Sequence, residues 1–314
     1  MIDPLAEIVT LLRPSLPFSK TASGSGNWRV DGAGDGSPFF AVILEGSTRL
    51  SVNGEPDIAL EENDFVLIPA AYRFNMASTA HATDDDADPL RVTKLGDETR
   101  HGDPTGLPNM RVLIGRLAFE SPDTTLVFAL LPCLLVVRGQ ARLTDLVRMI
   151  RSEAQASRPA RDVVLERLLQ LLLIEALRSD AAGLETPGLL RGLADRHLGP
   201  AIRLMHEAPA KAWSVEELAA TAMLSRSVFF DRFQKQTGMA PMEYLLSWRM
   251  ALAKDMLRRR DGGMKEIARR IGYGSASAFS VAFSRFVGVP PSQYGHPANQ
   301  APASNTPLES YSGD

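Results

Sequence analysis

Ser225–Tyr244 reads SRSVFFDRFQKQTGMAPMEY and Ser275–Tyr294 reads SASAFSVAFSRFVGVPPSQY. Laid one above the other, they share Ser225/Ser275, Ser227/Ser277, Phe229/Phe279, Phe233/Phe283, Gly238/Gly288, Pro241/Pro291 and Tyr244/Tyr294 at a single offset of 50. Just upstream, Leu218-Ala219 and Ile267-Ala268 match at an offset of 49, so the copies differ by one residue in the turn between the two matches. A repeat of this size is one supersecondary unit used twice.

Each copy carries the signals of two short helices around a tight turn. In the first, Ser214 and Glu217 form a capping box that starts a helix at Val215, and Leu218, Ala219 and Ala222 give it an inner face small enough for a second helix to approach. After a turn at Met223 and Leu224, Ser225 caps a second helix with Val228, Phe229 and Phe233 inside and Gly238 at its end. The second copy runs from Met264 to Ile271, turns through Gly272-Tyr273-Gly274 and resumes at Ser275 with Phe279, Phe283 and Phe286 inside. Met242 to Arg260 predicts one connecting helix, apolar at Leu245, Leu246, Met250, Ala253 and Leu257. Any helical bundle would bury the phenylalanines. It would not predict a duplicated helix-turn-helix unit, nor the charge that goes with it. Lys211 to His296 holds 13 Lys or Arg against 7 Asp or Glu, a net +6, leaving −9 for the rest of a chain whose total is −3. A basic module beside an acidic one suits a surface that faces phosphate.

The rest of the 314 residues has a different texture, and the length itself favours two domains. Apolar runs at Pro38–Leu44, Thr48–Val52 and Phe65–Pro69 are separated by Glu45-Gly46 and Asn53-Gly54, and Asn-Gly between such runs signals a type I′ hairpin turn. Further runs at Leu90–Leu95, Met110–Ala118 and Thr125–Leu131 follow loops at Thr83–Asp88 and His101–Asn109, so residues 1–138 predict a small antiparallel β-barrel or sandwich. From Gly139 the period becomes helical. Leu143, Leu146, Val147 and Ile150 mark one helix, and Val164, Leu165, Leu168, Leu169, Leu172 and Ala176 a second starting near Arg161. Leu171, Leu173, Ile174 and Leu177 widen its apolar surface, which then needs cover from the barrel or from a partner subunit. The predicted class is α+β: an N-terminal antiparallel barrel, a helical dimerisation or packing segment at 139–180, a linker at 181–197, an all-α domain at 198–295 and a disordered tail at 296–314.

The apolar runs Leu126–Val137 and Leu168–Leu177 fall short of the ~20 residues that cross a bilayer. Met1–Thr10 lacks the basic start and apolar core of a secretory signal. The single cysteine, Cys133, excludes an intramolecular disulfide and a cysteine-rich zinc site; it reads as a core residue, with redox sensing as the alternative. A cytoplasmic protein without a membrane segment is expected.

Leu198 to Tyr294 resembles the DNA-binding domain of the AraC/XylS family of bacterial regulators through Trp213–Ala219 (WSVEELA), Ile267–Tyr273 (IARRIGY) and above all Ala278–Pro291 (AFSVAFSRFVGVPP). Val42–Leu50 and Asn63–Pro69 resemble the cupin-type sensing domain that one branch of the family carries. The resemblance implies a transcription regulator, with activation favoured, in which the second helix of each unit enters the major groove and the connecting helix sets the two about one helical turn, ~34 Å, apart on double-stranded DNA. It places Ser227, Phe230 and Asp231 of the first unit and Ala276, Ser277, Ser280 and Val281 of the second against bases. Family members often carry Arg where this chain has Asp231 and Val281, and a bidentate Arg–guanine contact discriminates by ~1–3 kcal/mol. Asp231 can instead accept from a cytosine amine or pair with a nearby Arg, and Val281 can touch a thymine methyl. Gly295 stands where an Arg often follows the tyrosine. Arg226, Arg232, Lys235, Lys265, Arg269 and Arg285 are the charges expected at phosphates. The implied partners are DNA, RNA polymerase, a small-molecule effector and a second copy of the chain, with no cofactor and no enzymatic activity. Phe39, Val42, Leu44, Leu50, Val66 and Phe74 are candidates to line the effector site and serve a plain core equally well.

Two other functions stay open. A cupin enzyme would hold a metal on closely spaced His and carboxylate groups, but only His81 and His101 precede the linker, twenty residues apart in loop-like sequence and without a His-x-His pair. A ligand-binding protein that has lost DNA recognition would account for Asp231, Val281 and Gly295.

Overall fold

The computed structural model describes residues 3–34, 36–70, 72–79, 92–95, 98–119, 134–156, 158–180 and 187–294. His81, Cys133, the runs at Thr83–Asp88 and Thr125–Leu131, linker residues 181–186, Gly295 and the tail at 296–314 lie outside the described residues. Helix α1 (Pro4–Leu12), opened by an Asp3 side chain that accepts from the Leu5 amide, precedes ten strands among the described residues. These are β1 (Pro14–Ser25), β2 (Arg29–Ala33), β3 (Phe39–Val52), β4 (Ile58–Glu61), β5 (Phe65–Ile68), β6 (Arg73–Ala77), β7 (Val92–Leu95), β8 (Glu98–Gly102), β9 (Met110–Phe119) and β10 (Leu135–Val137).

Strand β3 organises the sheet. The sequence predicts two strands broken at Glu45-Gly46; the structure has one, with a register shift between Ile43 and Glu45. That bulge lets the strand change partners along its length. Its first half pairs with β5 and β9, its second half with β4 and β6. Asn53 and Gly54 have φ of 54° and 86°, the positive values a type I′ turn requires, and lead β3 into β4. The order is β10-β5-β3-β9-β1-β8-β7, with β2 on β6. The structure departs from the predicted antiparallel barrel in two respects. Strands β1 and β8 run parallel, and the two ends of the path, β10 and β7, are not paired with each other among the described residues, so the sheet is a curled half-barrel. His101, assigned to a loop from sequence, belongs to β8.

Both faces of this sheet are buried, which the alternation of the strands explains. Phe40, Val42, Phe65, Leu67, Leu113 and Leu117 share a cluster with α1, α2 (Ala141–Gln155) and α3 (Arg161–Asp180). Their neighbours Ala41, Ile43, Val66, Ile68 and Val112 point the other way, around Trp28, Leu50, Leu60 and Met76. The apolar α3 packs on α2, β1 and β10, burying Leu169, Leu172, Leu173 and Ala176 while leaving Val163 and Val164 exposed.

Seven helices follow: α4 (Leu189–Ala194), α5 (Leu198–Glu207), α6 (Val215–Thr221), α7 (Arg226–Thr237), α8 (Pro241–Arg259), α9 (Met264–Arg270) and α10 (Ala276–Val287). The cluster on the outer face of the sheet continues through α4–α7 to Tyr244, Leu245, Trp248 and Ala251 of α8. A separate cluster joins Met250 and Ala253 of α8 to Ile267, Ala268, Ile271, Phe279 and Phe283. Between the two halves of the chain, His206 lies fully buried with Nδ1 2.9 Å from Glu7 Oε2 and Nε2 2.6 Å from the Tyr244 hydroxyl, its ring stacked 4.1 Å from Trp248.

Burial lowers the proton affinity of His206 against the opposing pull of Glu7, and burial together with the charge of Lys20 takes His101 down to about 4. Both histidines are shifted downward from an unfolded histidine, so the unfolded chain binds protons first as the pH falls. Stability should therefore be intact above about pH 6.5 and decline below it. Thermal midpoints measured from about pH 7 to about pH 5 are expected to fall, and less steeply in His101→Gln than in the wild type. Equal slopes would show that His101 is not a source of the loss.

Candidate nucleic-acid interface

The repeated residues do the same work in both copies. Helices α6 and α9 each have seven residues, α7 and α10 twelve. Ser225 Oγ accepts from the Val228 amide at 3.4 Å and Ser275 Oγ from the Ala278 amide at 3.1 Å. Each second helix stops on a left-handed glycine, Gly238 or Gly288. Between cap and stop runs an aromatic ladder. Phe229–Phe233 and Phe233–Tyr244 lie 5.6 and 5.8 Å apart, and Phe279–Phe283 and Phe283–Tyr294 lie 5.5 and 5.4 Å apart. Aromatic pairs at such separations add about 0.5–1.5 kcal/mol each beyond the area they bury. The turns match as well: Leu224 N donates to Ala219 O at 3.0 Å and Tyr273 N to Ala268 O at 2.8 Å.

With the phenylalanines inside, the opposite side of each second helix faces solvent. Ser227, Phe230 and Asp231 are exposed on α7; Ser277 and Val281 are exposed on α10, with Ala276 and Ser280 half-buried. Ser225, Arg226, Ser227, Phe230 and Asp231 surround one shallow surface hollow. Asp231 has no ion-pair partner among the described residues, so its carboxylate is not engaged by a neighbouring Arg. Val228, expected inside, is exposed, because the stripe set by Phe229 and Phe233 turns the preceding position outward. Phe286 is half-buried against the second cluster.

The six basic residues divide into three kinds. Lys235, Lys265 and Arg285 are exposed and have no ion-pair partner among the described residues. Arg226 and Arg269 sit in exposed pairs, with Glu216 at 2.7 Å and Glu266 at 2.8 Å; hydrogen bonds from Arg269 and Arg270 hold the Glu266 carboxyl at about 2. Water screens exposed pairs of this kind, so a phosphate can compete for the arginine. Arg232 is different. Its Nη2 lies 2.7 Å from Asp195 Oδ2, and Asp195, half-buried as a residue but with a side chain only 7% exposed, also accepts from the amides of His197 and Leu198 at the start of α5. Burial would raise the Asp195 carboxyl, but these bonds, Arg232 first among them, hold it below the ordinary carboxylate range. Arg232 thereby ties α7 to the start of α5.

The candidate effector residues fall on opposite faces of the sheet. Leu50 and Val66 pack in the inner cluster with Phe39 at its edge, and the Phe74 ring meets Phe39 edge-on at 5.8 Å. Val42 and Leu44 belong to the outer, helix-covered face. Register places Lys20 (opposite Ile114) and His101 (opposite Gly24) on the inner face as well, where the buried His101 Nδ1 has no hydrogen-bond partner. Sequence reasoning missed this Lys20–His101 patch, Asp195, His206 and Arg249. Their partners are 37 or more residues away along the chain in the pairs formed by Arg232, Arg249 and His206, and no local pattern marks them.

Residues 3–182 match the family model for cupins, and residues 218–296 a model described as a helix-turn-helix domain. A cupin domain followed by a helix-turn-helix domain is the class to which this architecture belongs. Over 300 residues, 93% of this chain and 98% of each relative, the sequence is 30% identical to a putative AraC-like transcription regulator of Streptomyces lividans and 31% identical to one of Streptomyces antibioticus. Among solved structures, fatty-acid-bound ToxT of Vibrio cholerae aligns over 88% of this chain and 92% of its own at 15% identity and a TM-score of 0.37. The chain belongs to the AraC-like transcription regulators.

The three classes of basic residue should separate experimentally. Replacing Lys235, Lys265 or Arg285 by Ala is expected to leave stability unchanged and to reduce the log–log salt slope of duplex binding by about 0.9 for each phosphate no longer neutralised. Arg232→Ala should instead destabilise the chain by about 1–3 kcal/mol in urea unfolding, because it strands the buried Asp195 carboxylate.

Proposed function

We propose that this protein is a sequence-specific transcription regulator that reads two successive major grooves with α7 and α10, one helix-turn-helix unit on each. What supports it most is the duplication itself: two units alike in helix length, cap, stop and aromatic ladder, each with its second helix turned to solvent beside basic side chains. Ser227, Phe230 and Asp231, with Ala276, Ser277, Ser280 and Val281, are assigned to the bases. Lys235, Lys265 and Arg285, joined by Arg226 and Arg269 once their glutamates are displaced, are assigned to phosphates; Arg232 is assigned to the fold.

The cupin domain, over 1–138, is the sensing half. Its effector site lies on the inner face of the half-barrel, among Phe39, Leu50, Val66 and Phe74, with the Lys20–His101 patch favouring an anionic group. A catalytic metal is disfavoured at that position, since the charge of Lys20 beside His101 repels a cation. Met149 of α2 and Val163, Val164 and Leu171 of α3 are exposed apolar side chains on the segment at 139–180, and we assign dimerisation to that segment. Contact with RNA polymerase completes the proposal.

Selection of the full-length chain against a random duplex pool, at two salt concentrations, tests this directly. One bipartite motif with half-elements about ten base pairs apart is expected, weakening at high salt. No enriched motif even at low salt would overturn it, and the departures at Asp231 and Val281 would then mark a regulator without base recognition.

A further inference from the structure

The two turns that match at an offset of 49 hold the same backbone conformation with different residues. Met223 occupies the left-handed position in the first, at φ 53°, with its side chain almost fully exposed. Gly272 occupies it in the second, at φ 85°. A side chain is thus tolerated by the turn itself, and the glycine answers to something outside it. That something is the segment between α5 and α6. A Cβ on Gly272 would lie 2.6 Å from the Ala210 carbonyl oxygen and 3.0 Å from its Cα. The same segment is gripped from α8, where the half-buried Arg249 donates from Nε to Pro209 O and from Nη2 to Lys211 O, each at 2.7 Å. Its remaining geometry is fixed by Trp213, whose Nε1 donates to Ala208 O at 3.0 Å. The backbone at 208–211 belongs to the first unit, Gly272 to the second and Arg249 to the helix between.

We infer that Arg249 and Gly272 form a clamp that fixes the separation and rotation of the two second helices, α7 and α10, and so sets the spacing between the half-elements that the protein accepts. Arg249 is a positioning residue that touches no DNA. The inference rests on the two-unit reading of the preceding subsection. Besides the clamp, the second unit is held by its own cluster on Met250 and Ala253 of α8. Two short charge-assisted hydrogen bonds to neighbouring carbonyls hold a backbone segment in both position and rotation, which a single apolar contact does not.

The test compares full-length wild type, Arg249→Ala, Arg249→Lys and Gly272→Val on duplexes carrying the selected half-elements at the optimal spacing, at one base pair more and less, and singly. Wild type should show one sharp optimum. In Arg249→Ala the ratio between optimal and shifted spacings should shrink about tenfold, the size of a single base-pair mismatch, while affinity for a single half-element and the thermal midpoint stay close to wild type. Arg249→Lys should recover part of the ratio. Nitroxide labels at positions 235 and 285 of a Cys133→Ser background give a readout without DNA: the inter-label distance distribution should broaden in Arg249→Ala. An Arg249→Ala protein with the wild-type spacing ratio and distance distribution overturns the clamp, and if Gly272→Val fails to fold the arginine variants decide alone. A wild type with no duplex affinity overturns the two-unit reading instead, and with it the role assigned to the clamp in DNA spacing.

Discussion

Helix α8 contributes to two cores at once, and the all-α domain depends on that. A pair of helices seven and twelve residues long cannot bury enough surface to stand alone. Tyr244, Leu245, Trp248 and Ala251 complete the first cluster, and Met250 and Ala253 complete the second. At 3.6 residues per turn these positions fall on different sides of one rod, so the two units are oriented by a rigid element rather than by a flexible loop. Polar groups are carried into the interior with it. The Lys254 ammonium lies 5.6 Å from the Phe286 ring, and Asp255 takes ion pairs from Arg13 and Arg259. Through Arg13, and through Glu7 on His206, the same helix and its neighbour α5 hold the start of the chain.

Charge is used in two ways on this scaffold, and burial separates them. Where the carboxylate is buried, as at Asp195, the arginine that meets it is part of the fold. Where both partners are exposed, as at Arg226–Glu216, water has already weakened the pair and an incoming phosphate can replace the acid at small cost. The net +6 of the segment from Lys211 to His296 therefore overstates the number of charges free to meet phosphate.

The half-barrel makes a related point for the cupin domain. A sheet apolar on both faces hides which face could receive a ligand. Its outer face is committed to α1, α2 and α3, while the inner face packs around Trp28, Leu50 and Leu60, with Lys20 and His101 toward β8.

Much of the all-α domain was legible in the sequence because its signals are local. Ser214 with Glu217, Ser225, Ser275, Gly238 and Gly288 act on amides and dihedral angles within a few residues, and the phenylalanine spacing defines a stripe within a single helix. The exception there was Val228, which neighbours the stripe without belonging to it. The sheet was legible only as a set of strands. Strand β3 read as two, the parallel β1–β8 pair left no trace, and Val42 and Leu44 were grouped with Leu50 because alternation cannot assign faces when both are apolar. Thus the sequence by itself determined the duplicated units, their caps and ladders and the basic character of their surface. Only the tertiary structure decided that Arg232 serves Asp195, that His206 joins Glu7 to Tyr244 and that Arg249 grips Pro209 and Lys211. Those bonds close loops of 37 to 199 residues, and their partners become neighbours only when separate elements pack.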